Sequence, residues 1–359
     1  MKDFSSEFPL FQILDENGTP NEKLMPKLSK EEMLKMYELM VLARVFDETA
    51  YQLQREGRIL TFAPLKGQEA AQIGTALALK KDDWMFPSFR ENGAYLVRGM
   101  PAEMLYQYWS GDERGNKIPN DLKCFTVSVP VGTQILHAVG AAWAEKLKKT
   151  GNVSLVYFGD GATSTGDFHE GLNFAGVLKI PVVFVCQNNQ WAISVPFSKQ
   201  SGSKTVAQKA VAYGINGIRV DGNDVLGVYS AAIEAIANAR KNIPTLLECV
   251  TYRLSDHTTS DDASRYRTPE EVAMWTKKDP IVRMEKFLFS KFILNEQLKK
   301  SIWDSAKLKI DTAVKVAEKE TLENPEDIFD FTFARLSKIL QDEKKTFEST
   351  FAQKKEVEA

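Results

Sequence analysis

Two short apolar runs, each followed by polar residues, constrain the fold of this chain more than any other feature. Residues 153–158 are β-branched and aromatic and lead into Gly159-Asp160-Gly161, while the similar run 181–186 leads into Asn188-Asn189. Both runs are typical of fully buried strands in a parallel sheet. Residues 165–178 between them carry apolar side chains at helical spacing, so the segment predicts a strand–helix–strand unit. Ligands of such sheets bind beyond the carboxyl ends of the strands, where Asp160 and Asn189 fall.

The residue types at these strand ends narrow the class of ligand. The Asp160 carboxylate and the Asn189 amide are hard oxygen donors. They are too few to enclose Ca²⁺ but suit Mg²⁺, which keeps water molecules and takes phosphate oxygens as further ligands. Gly161 lets the backbone approach a phosphate group, and the following helix offers N–H groups and a positive dipole end. The sequence therefore predicts a Mg²⁺-bridged diphosphate.

Two alternatives compete with this interpretation. Gly159, Gly161 and Gly166 resemble a dinucleotide fingerprint, but their spacing differs from G-x-G-x-x-G. The acidic ribose-binding residue expected at the next strand end is also replaced, by Gln187-Asn188-Asn189. The other alternative is a plain structural turn, because a G-D-G tripeptide alone is common.

Bulk composition indicates the setting in which the chain works. The formal net charge is −2 and charged residues make up 26% of the chain, which gives no footprint for nucleic acid or an anionic membrane. No apolar run approaches membrane-spanning length. The three cysteines, Cys124, Cys186 and Cys249, lie in or beside apolar runs and predict buried thiols in a reducing cytoplasm.

The pattern along the chain predicts three segments. Residues 1–28 are expected to form an N-terminal arm lying on a neighbouring subunit, 29–268 an α/β domain that opens with a capping box at Ser29, and 269–359 a helical C-terminal region. A short strand is expected at 192–195. Near the C-terminus, apolar residues at near-helical spacing predict packing on a partner: Leu336, Ile339, Leu340, Phe347 and Phe351.

The strand-end motifs also carry a family resemblance. Gly159-Asp160-Gly161 followed by Asn188-Asn189 resembles the thiamin diphosphate signature. The sequence from Gly57 through Arg267 resembles that of the α subunit of the E1 component of 2-oxo acid dehydrogenase complexes, of pyruvate or branched-chain type. This resemblance implies a thiamin-diphosphate-binding α/β fold, with a mostly parallel sheet flanked by helices and a helical C-terminal extension. It also implies thiamin diphosphate and Mg²⁺ as cofactors.

Carried over residue by residue, the resemblance assigns a binding site. Asp160, Asn189 and the backbone carbonyl of Trp191 would ligate Mg²⁺. Phe89 stands where the family commonly has Tyr, and Gln187 replaces a basic residue of the branched-chain relatives. The residues expected to contact the cofactor are Phe89, Arg90, Val129, Val131, Asp160, Gly161, Ala162, Gln187, Asn189 and His257.

His257 lies in a polar segment, 255–262, just beyond a predicted strand. From the residues alone, a solvated loop histidine and a functional histidine are equally consistent with this setting. The resemblance implies the functional role, because the matching histidine of the family contacts the cofactor diphosphate and supports reductive acylation of lipoate. Thr258 stands where mammalian relatives carry a phosphorylated hydroxyl. His137 and His169 are interpreted as structural.

A third segment, 128–134, carries a weaker signal. The residues themselves predict only a Pro/Gly turn that leads into a helix at Thr133. The resemblance implies that this segment cradles the aminopyrimidine ring and binds K⁺ in branched-chain relatives. The K⁺ ligands would be Ser128, Pro130, Thr133 and Gln134.

The resemblance finally implies partners and a reaction. The E1 β subunit would supply the glutamate that protonates the pyrimidine ring, in an α₂β₂ heterotetramer that serves the E2 lipoyl acyltransferase. The reaction would be oxidative decarboxylation of a 2-oxo acid, either pyruvate or a branched-chain acid such as 2-oxoisovalerate, with reductive acylation of the lipoyl group. An acetoin dehydrogenase α subunit and a non-catalytic regulatory subunit are the alternatives. Intact Asp160, Asn189 and His257 argue against the second of these.

Overall fold

Five parallel strands form the central sheet of this computed structural model, which describes residues 4–319, 327–330 and 332–358. With the two strands of a separate hairpin, the strands of the described residues are β1 (Trp84–Phe86), β2 (Ser154–Gly159), β3 (Val182–Asn188), β4 (Trp191–Ala192), β5 (Val195–Pro196), β6 (Asn216–Asp221) and β7 (Thr245–Val250). The sheet has the order β1-β2-β3-β7-β6, and β4 and β5 pair separately as an antiparallel hairpin. The predicted α/β fold with a mostly parallel sheet is confirmed.

Helices precede, connect and follow the strands. They are α1 (Lys30–Arg55), α2 (Glu69–Leu77), α3 (Asn92–Arg98), α4 (Ala102–Trp109), α5 (Thr133–Lys148), α6 (Gly166–Leu178), α7 (Phe197–Gln200), α8 (Val225–Arg240), α9 (Pro269–Thr276), α10 (Pro280–Ser290), α11 (Glu296–Lys319), α12 (Asp327–Asp330) and α13 (Lys338–Glu358). The capping box predicted at Ser29 is present at the start of α1, where the hydroxyl accepts from Glu32 N and the Glu32 carboxylate accepts from Ser29 N.

Helices cover both faces of the sheet. Successive side chains of a strand point to opposite faces, so a strand in the core needs cover on both. On one face, α5 and α6 pack over side chains such as Val156, Phe158 and Phe184, which are completely buried. On the opposite face, the Tyr157 hydroxyl lies 2.7 Å from the Thr75 hydroxyl of α2. The carboxyl ends of β2 and β3 therefore project from a rigid layer and can hold side chains in fixed positions.

One local expectation from the sequence is corrected by the structure. The single strand expected at 192–195 is interrupted, because Ile193 adopts a left-handed backbone conformation (φ 54°) and turns the chain between β4 and β5. In the N-terminal arm, Phe11 pairs with β6 of the same chain through Phe11 N to Arg219 O (2.9 Å) and Asp221 N to Phe11 O (2.9 Å). Contact of this arm with a neighbouring subunit stays a prediction.

The chain divides into two compact units, Met1–Val314 and Lys315–Ala359. Within the second unit, the rings of Phe329 and Phe347 pack at 5.6 Å and Lys344 pairs with Asp330 at 2.6 Å. Ile339 is exposed, and the side chain of Phe351 lies outside those that the structure describes. The division at residues 28 and 268 stays a prediction. Among the described residues, no helix combines the length and the apolar character needed to cross a membrane.

Candidate active site

A cavity of about 580 Å³ opens beyond the carboxyl ends of β2 and β3. Its volume lies within the usual range for small-molecule and cofactor sites. The structure brings every residue predicted to contact the cofactor into the wall of this cavity: Phe89, Arg90, Val129, Val131, Asp160, Gly161, Ala162, Gln187, Asn189 and His257.

Asp160 follows β2 directly and begins a short 3₁₀ helix. It is almost completely buried, and its Oδ2 accepts a hydrogen bond from Gln200 Nε2 at 2.7 Å. Burial raises the pKa of this carboxyl, while the bond from Gln200 opposes the shift. A buried carboxylate with a raised pKa is destabilised as an anion, so a cation at this position is favoured.

Asn189 follows β3, and its amide group is held at both ends. Its Nδ2 donates to Gln68 Oε1 at 3.1 Å, and its Oδ1 accepts from Trp191 N at 3.3 Å. A carbonyl oxygen has two lone pairs, so Oδ1 keeps one for a further partner. Asp160 and Asn189 therefore each present an oxygen at the same edge of the sheet.

Gly161 is required by a close approach within the chain itself. A Cβ at this position would lie 2.8 Å from the Cβ of Ala192 in the β4–β5 hairpin, which is closer than van der Waals contact allows. The hairpin therefore closes directly over the Gly159-Asp160-Gly161 turn. By contrast, a Cβ at Gly159 would meet no atom within 4 Å, and the backbone there faces open space in the cavity.

Two buried arginines line the cavity and form no ion pair with a carboxylate among the described residues. Arg90 donates to Pro64 O (2.6 Å) and to His257 O (3.1 Å). Arg253 donates to Trp191 O (3.0 Å), Ile193 O (2.8 Å) and the Tyr266 hydroxyl (3.1 Å). Burial and the charge of Arg253 lower the pKa of Arg90 to about 9, and burial also lowers the pKa of Arg253.

The same two guanidinium groups fix the state of His257. Its Nδ1 lies 3.2 Å from Arg90 NH2 and 3.4 Å from Arg253 NH1. Because arginine only donates, Nδ1 must accept, and the proton of the neutral ring resides on Nε2. Burial and the two cations lower the pKa of His257 to about 3. Phe89 packs edge-on against the imidazole, with ring centroids 6.1 Å apart.

The loop that carries His257 is anchored rather than solvated. Thr259 pairs with Phe62 through two hydrogen bonds, Thr259 N to Phe62 O (2.8 Å) and Phe62 N to Thr259 Oγ1 (2.9 Å). Asp261 accepts from His257 N at 2.9 Å and from the Tyr266 hydroxyl. Thr258, in contrast, faces the cavity.

The structure places one of the four predicted K⁺ ligands in the cavity wall and the other three outside it. Gln134 lines the cavity and donates through Nε2 to Tyr157 O at 2.8 Å. Ser128, Pro130 and Thr133 lie outside the cavity lining, and the Ser128 hydroxyl donates to Pro130 O at 3.4 Å. Of the other histidines, His137 stacks on Phe125 with ring centroids 5.2 Å apart, and His169 contacts the Tyr213 hydroxyl.

Sequence reasoning missed several residues of this site. Arg253 follows β7 at the same sheet edge as Asp160 and Asn189, so its position was a usable signal. Glu91 is buried in the cavity wall and accepts from Gln187 Nε2 at 2.5 Å. Gln68 and Gln200 carried no signal, because each reaches the site only through tertiary packing.

The chemistry of the cavity fits a metal-bound diphosphate. In the described part of the chain, Arg90 and Arg253 have only carbonyls, a phenol and a ring nitrogen as hydrogen-bond partners, so an anionic ligand would offset both charges. The cavity wall also holds buried polar atoms without a partner among the described residues, including Gln68 Nε2, Gln187 Oε1 and Arg253 Nε. Among the described residues, no group of three or more His, Cys, Asp or Glu side chains is placed to hold a metal ion.

Comparison with known proteins identifies the class of protein that this fold and cavity define. The profile of the family "Dehydrogenase E1 component" matches residues 37–326. The chain therefore belongs to the dehydrogenase E1 component family. This family comprises the thiamin diphosphate-dependent, decarboxylating components of 2-oxo acid dehydrogenase complexes, which confirms the expected enzyme class and the use of thiamin diphosphate.

Individual relatives are similar over most of their length. A pyruvate dehydrogenase E1 component subunit alpha from Acholeplasma laidlawii is 47% identical over 333 residues, covering 92% of this chain and 96% of the relative. A 3-methyl-2-oxobutanoate dehydrogenase subunit alpha from Mycobacterium tuberculosis is 47% identical over 299 residues, 82% of each chain. A pyruvate dehydrogenase E1 component subunit alpha from Staphylococcus aureus is 42% identical over 328 residues, 90% of this chain and 89% of the relative.

Proposed function

We propose that this chain binds the diphosphate half of Mg²⁺–thiamin diphosphate and, with a β subunit, decarboxylates a short aliphatic 2-oxo acid. The observation that carries the proposal is the pair of buried guanidinium groups, Arg90 and Arg253, which line the cavity together with Asp160 and form no ion pair among the described residues. Two cations with lowered pKa values favour a ligand with at least two negative charges. A diphosphate meets this requirement.

The protein residues have distinct roles in this proposal. Asp160, Asn189 and the Trp191 carbonyl hold the metal ion, and the Trp191 carbonyl keeps a lone pair beside its bond from Arg253. Arg90 contributes positive charge beside the diphosphate. K⁺ is proposed to bind near Ser128, Pro130, Thr133 and Gln134, on the family resemblance alone.

His257 is proposed to act as a neutral hydrogen-bond donor. With Nδ1 held by two arginines, only Nε2–H is available to the cavity. Such a donor can stabilise negative charge on a reacting oxygen without itself being ionised. Bound thiamin diphosphate supplies the electron sink for loss of CO₂. Phe89, Trp109 and Phe158 give the cavity an apolar wall, which would exclude water once a β subunit covers the opening.

The substrate and the partners follow from the relatives. Their names specify pyruvate and 3-methyl-2-oxobutanoate dehydrogenases, so we propose one of these acids as the substrate. We propose an α₂β₂ assembly with an E1 β subunit that acylates the lipoyl group of an E2 acyltransferase. The three free cysteines are buried, which supports the cytoplasmic location predicted from the sequence.

Decarboxylation by the chain co-expressed with its β partner tests the function. We expect CO₂ release from pyruvate or 3-methyl-2-oxobutanoate that requires thiamin diphosphate and a divalent cation, with acetoin as a comparison substrate. Asp160→Ala should abolish cofactor binding in calorimetry, while the circular dichroism of the sheet is unchanged. Undiminished affinity of Asp160→Ala for Mg²⁺–thiamin diphosphate would contradict the proposal.

A further inference from the structure

Two glutamines stand directly behind the two side chains assigned to the metal ion. Gln68 Oε1 accepts from Asn189 Nδ2 at 3.1 Å, and Gln200 Nε2 donates to Asp160 Oδ2 at 2.7 Å. We propose that Gln68 and Gln200 are positioning residues, which orient the oxygen donors of Asn189 and Asp160 toward a divalent cation. This inference rests on the proposed function of the cavity and adds two residues that no sequence motif marks.

The bond from Asn189 to Gln68 selects one of two amide orientations. An asparagine presents an oxygen acceptor at one end and an NH₂ donor at the other, and only the oxygen can ligate a metal ion. Because Gln68 Oε1 is an acceptor, it pairs only with the NH₂ end. The backbone N–H of Trp191 supports the same orientation by donating to Asn189 Oδ1 at 3.3 Å.

The bond from Gln200 to Asp160 restricts rotation of a carboxylate. Gln200 Nε2 holds Oδ2, and the backbone N–H groups of Asp160 and Asn189 also bond the carboxylate, so its orientation is fixed and its remaining lone pairs are available to a cation. Gln200 can hold Oδ2 only by donating, since the carboxylate itself has no proton to give. Gln68 thus uses the oxygen of its amide group to hold Asn189, whereas Gln200 uses the NH₂ of its amide group to hold Asp160.

Each glutamine is itself held by backbone contacts. Gln68 is completely buried, and its N–H donates to Leu65 O at 2.9 Å. The preceding Gly67 has φ +96°, and a Cβ there would lie 2.3 Å from Tyr252 O, so this turn is pressed against the end of β7. Gln200 Nε2 also donates to Val195 O at 2.9 Å in the hairpin.

Packing alone does not explain two glutamines at these positions. Gln68 Nε2 and Gln200 Oε1 are buried and have no partner among the described residues. A buried polar atom without a partner is destabilising, and an apolar side chain of similar size would avoid it. Orientation of the two ligands supplies a reason for the amide groups.

The test measures Mn²⁺ binding to the complex of this chain with its β subunit. Mn²⁺ replaces Mg²⁺ as the probe, free Mn²⁺ is quantified by electron paramagnetic resonance, and thiamin diphosphate is kept in fixed excess. We expect Gln68→Met and Gln200→Met each to weaken Mn²⁺ binding by about 10- to 100-fold, as is typical when a partner of a metal ligand is removed. Gln12→Met is the matched control, because Gln12 Nε2 also donates to a carboxylate, Asp221 Oδ2 at 2.9 Å, but lies outside the cavity lining.

A second pair of variants tests the direction of each hydrogen bond. Glutamate keeps the size of glutamine and the acceptor but removes the donor. Gln68→Glu should therefore retain Mn²⁺ binding, whereas Gln200→Glu should lose it. Both variants add one negative charge beside the site, so the charge cannot produce opposite outcomes. This pair also decides the matter if either methionine variant fails to assemble.

The outcomes separate the inference from the proposed function. Asp160→Ala is titrated in parallel, and parental Mn²⁺ binding by this variant would overturn the proposed function. If Asp160→Ala is impaired but the Gln68 and Gln200 methionine variants match Gln12→Met, the positioning role is wrong and the function stands. Equal effects of Gln68→Glu and Gln200→Glu would also overturn the positioning role.

Discussion

Two guanidinium groups directed at one ring nitrogen determine how His257 can act. Arg90 and Arg253 both approach Nδ1, at 3.2 and 3.4 Å, so the free ring nitrogen is the protonated Nε2. Protonation of Nδ1 would place a third positive charge against two buried ones. The site therefore keeps this histidine neutral at acid pH values where an exposed histidine is charged.

His257 is expected to resist protonation between about pH 8 and pH 5, since burial and the two arginines lower its pKa to about 3. In ¹⁵N spectra of the histidine-labelled protein, Nδ1 should keep the shift of an unprotonated nitrogen throughout this range. A midpoint near pH 6 for this resonance would contradict the assignment.

The same shift has a consequence for stability. The unfolded chain binds a proton at His257 near its ordinary pKa of 6.5, while the folded chain does not until about pH 3. The contribution of His257 to the free energy of unfolding should therefore fall as the pH drops through this window. In urea titrations, His257→Gln should remove this part of the pH dependence.

Site residues that directly follow a recognisable strand could be predicted from the sequence, whereas residues far from such a strand could not. Asp160 and Asn189 follow buried strands, and the rule for strand ends in parallel sheets placed them correctly at one edge. Arg253 also lies just beyond a strand of this sheet, β7, but no sequence motif marks it. Gln200 reaches Asp160 across 40 residues, and no local pattern encodes that contact.

At the scale of elements, the loop 255–267 and the segment 58–66 behave as one paired structure. Thr259 and Phe62 exchange two hydrogen bonds, and the hydroxyls of Thr61 and Ser260 lie 2.9 Å apart. His257 and Thr61, one from each segment, both line the cavity. Displacing either segment therefore disturbs the cavity lining.

Thr259→Val is expected to loosen this pair, because Phe62 N–H loses its acceptor in a buried setting. The cost should be about 1–3 kcal/mol in the free energy of unfolding. Trypsin should also cleave faster after the exposed Arg265. Thr258→Val serves as the control, because the Thr258 hydroxyl makes no hydrogen bond within the described residues.

Bound Mg²⁺–thiamin diphosphate should suppress the same cleavage, since the diphosphate would engage the arginines that hold His257. Equal digestion rates with and without the cofactor would show that the loop is insensitive to the ligand. Equal rates for Thr259→Val and Thr258→Val would show that the pairing does not hold it.

The elements differed in how far local pattern could predict them. The strands β2 and β3 and the helix α6 followed from apolar runs and helical spacing, and Thr165 caps α6 as a local signal should. The β4–β5 hairpin could not be predicted in this way. The left-handed backbone at Ile193 is stabilised by a residue distant in sequence, because Arg253 donates to Ile193 O at 2.8 Å.

For the whole molecule, exposed apolar side chains around the cavity indicate where a partner is needed. Val129, Val131 and Ile193 line the cavity yet are 57%, 53% and 55% exposed. Apolar side chains clustered at a ligand site are typical of an interface. A β subunit seated here would cover them and close the cavity to water.

The chain expressed alone should self-associate, whereas co-expression with the β subunit should give a light-scattering mass near twice the sum of the two chains. Obligate interfaces of this kind typically bury more than about 2,000 Å². Val131→Glu should weaken the assembly, and the exposed Val211→Glu, outside the cavity lining, is the control. A stable monomer that decarboxylates 2-oxo acids by itself would contradict both the assembly and the division of labour.

The burial of Arg90 beside Arg253 also links the lifetime of this protein to nutrition. Like charges buried together destabilise the fold, and a diphosphate that binds only the folded state stabilises it by about 2.7 kcal/mol at a hundred times its dissociation constant. Cells short of thiamin should therefore degrade the chain faster than cells with ample supply. Pulse-chase labelling under both diets should show this difference, and Arg253→Met should reduce it, so vitamin supply would set enzyme abundance without any change in transcription.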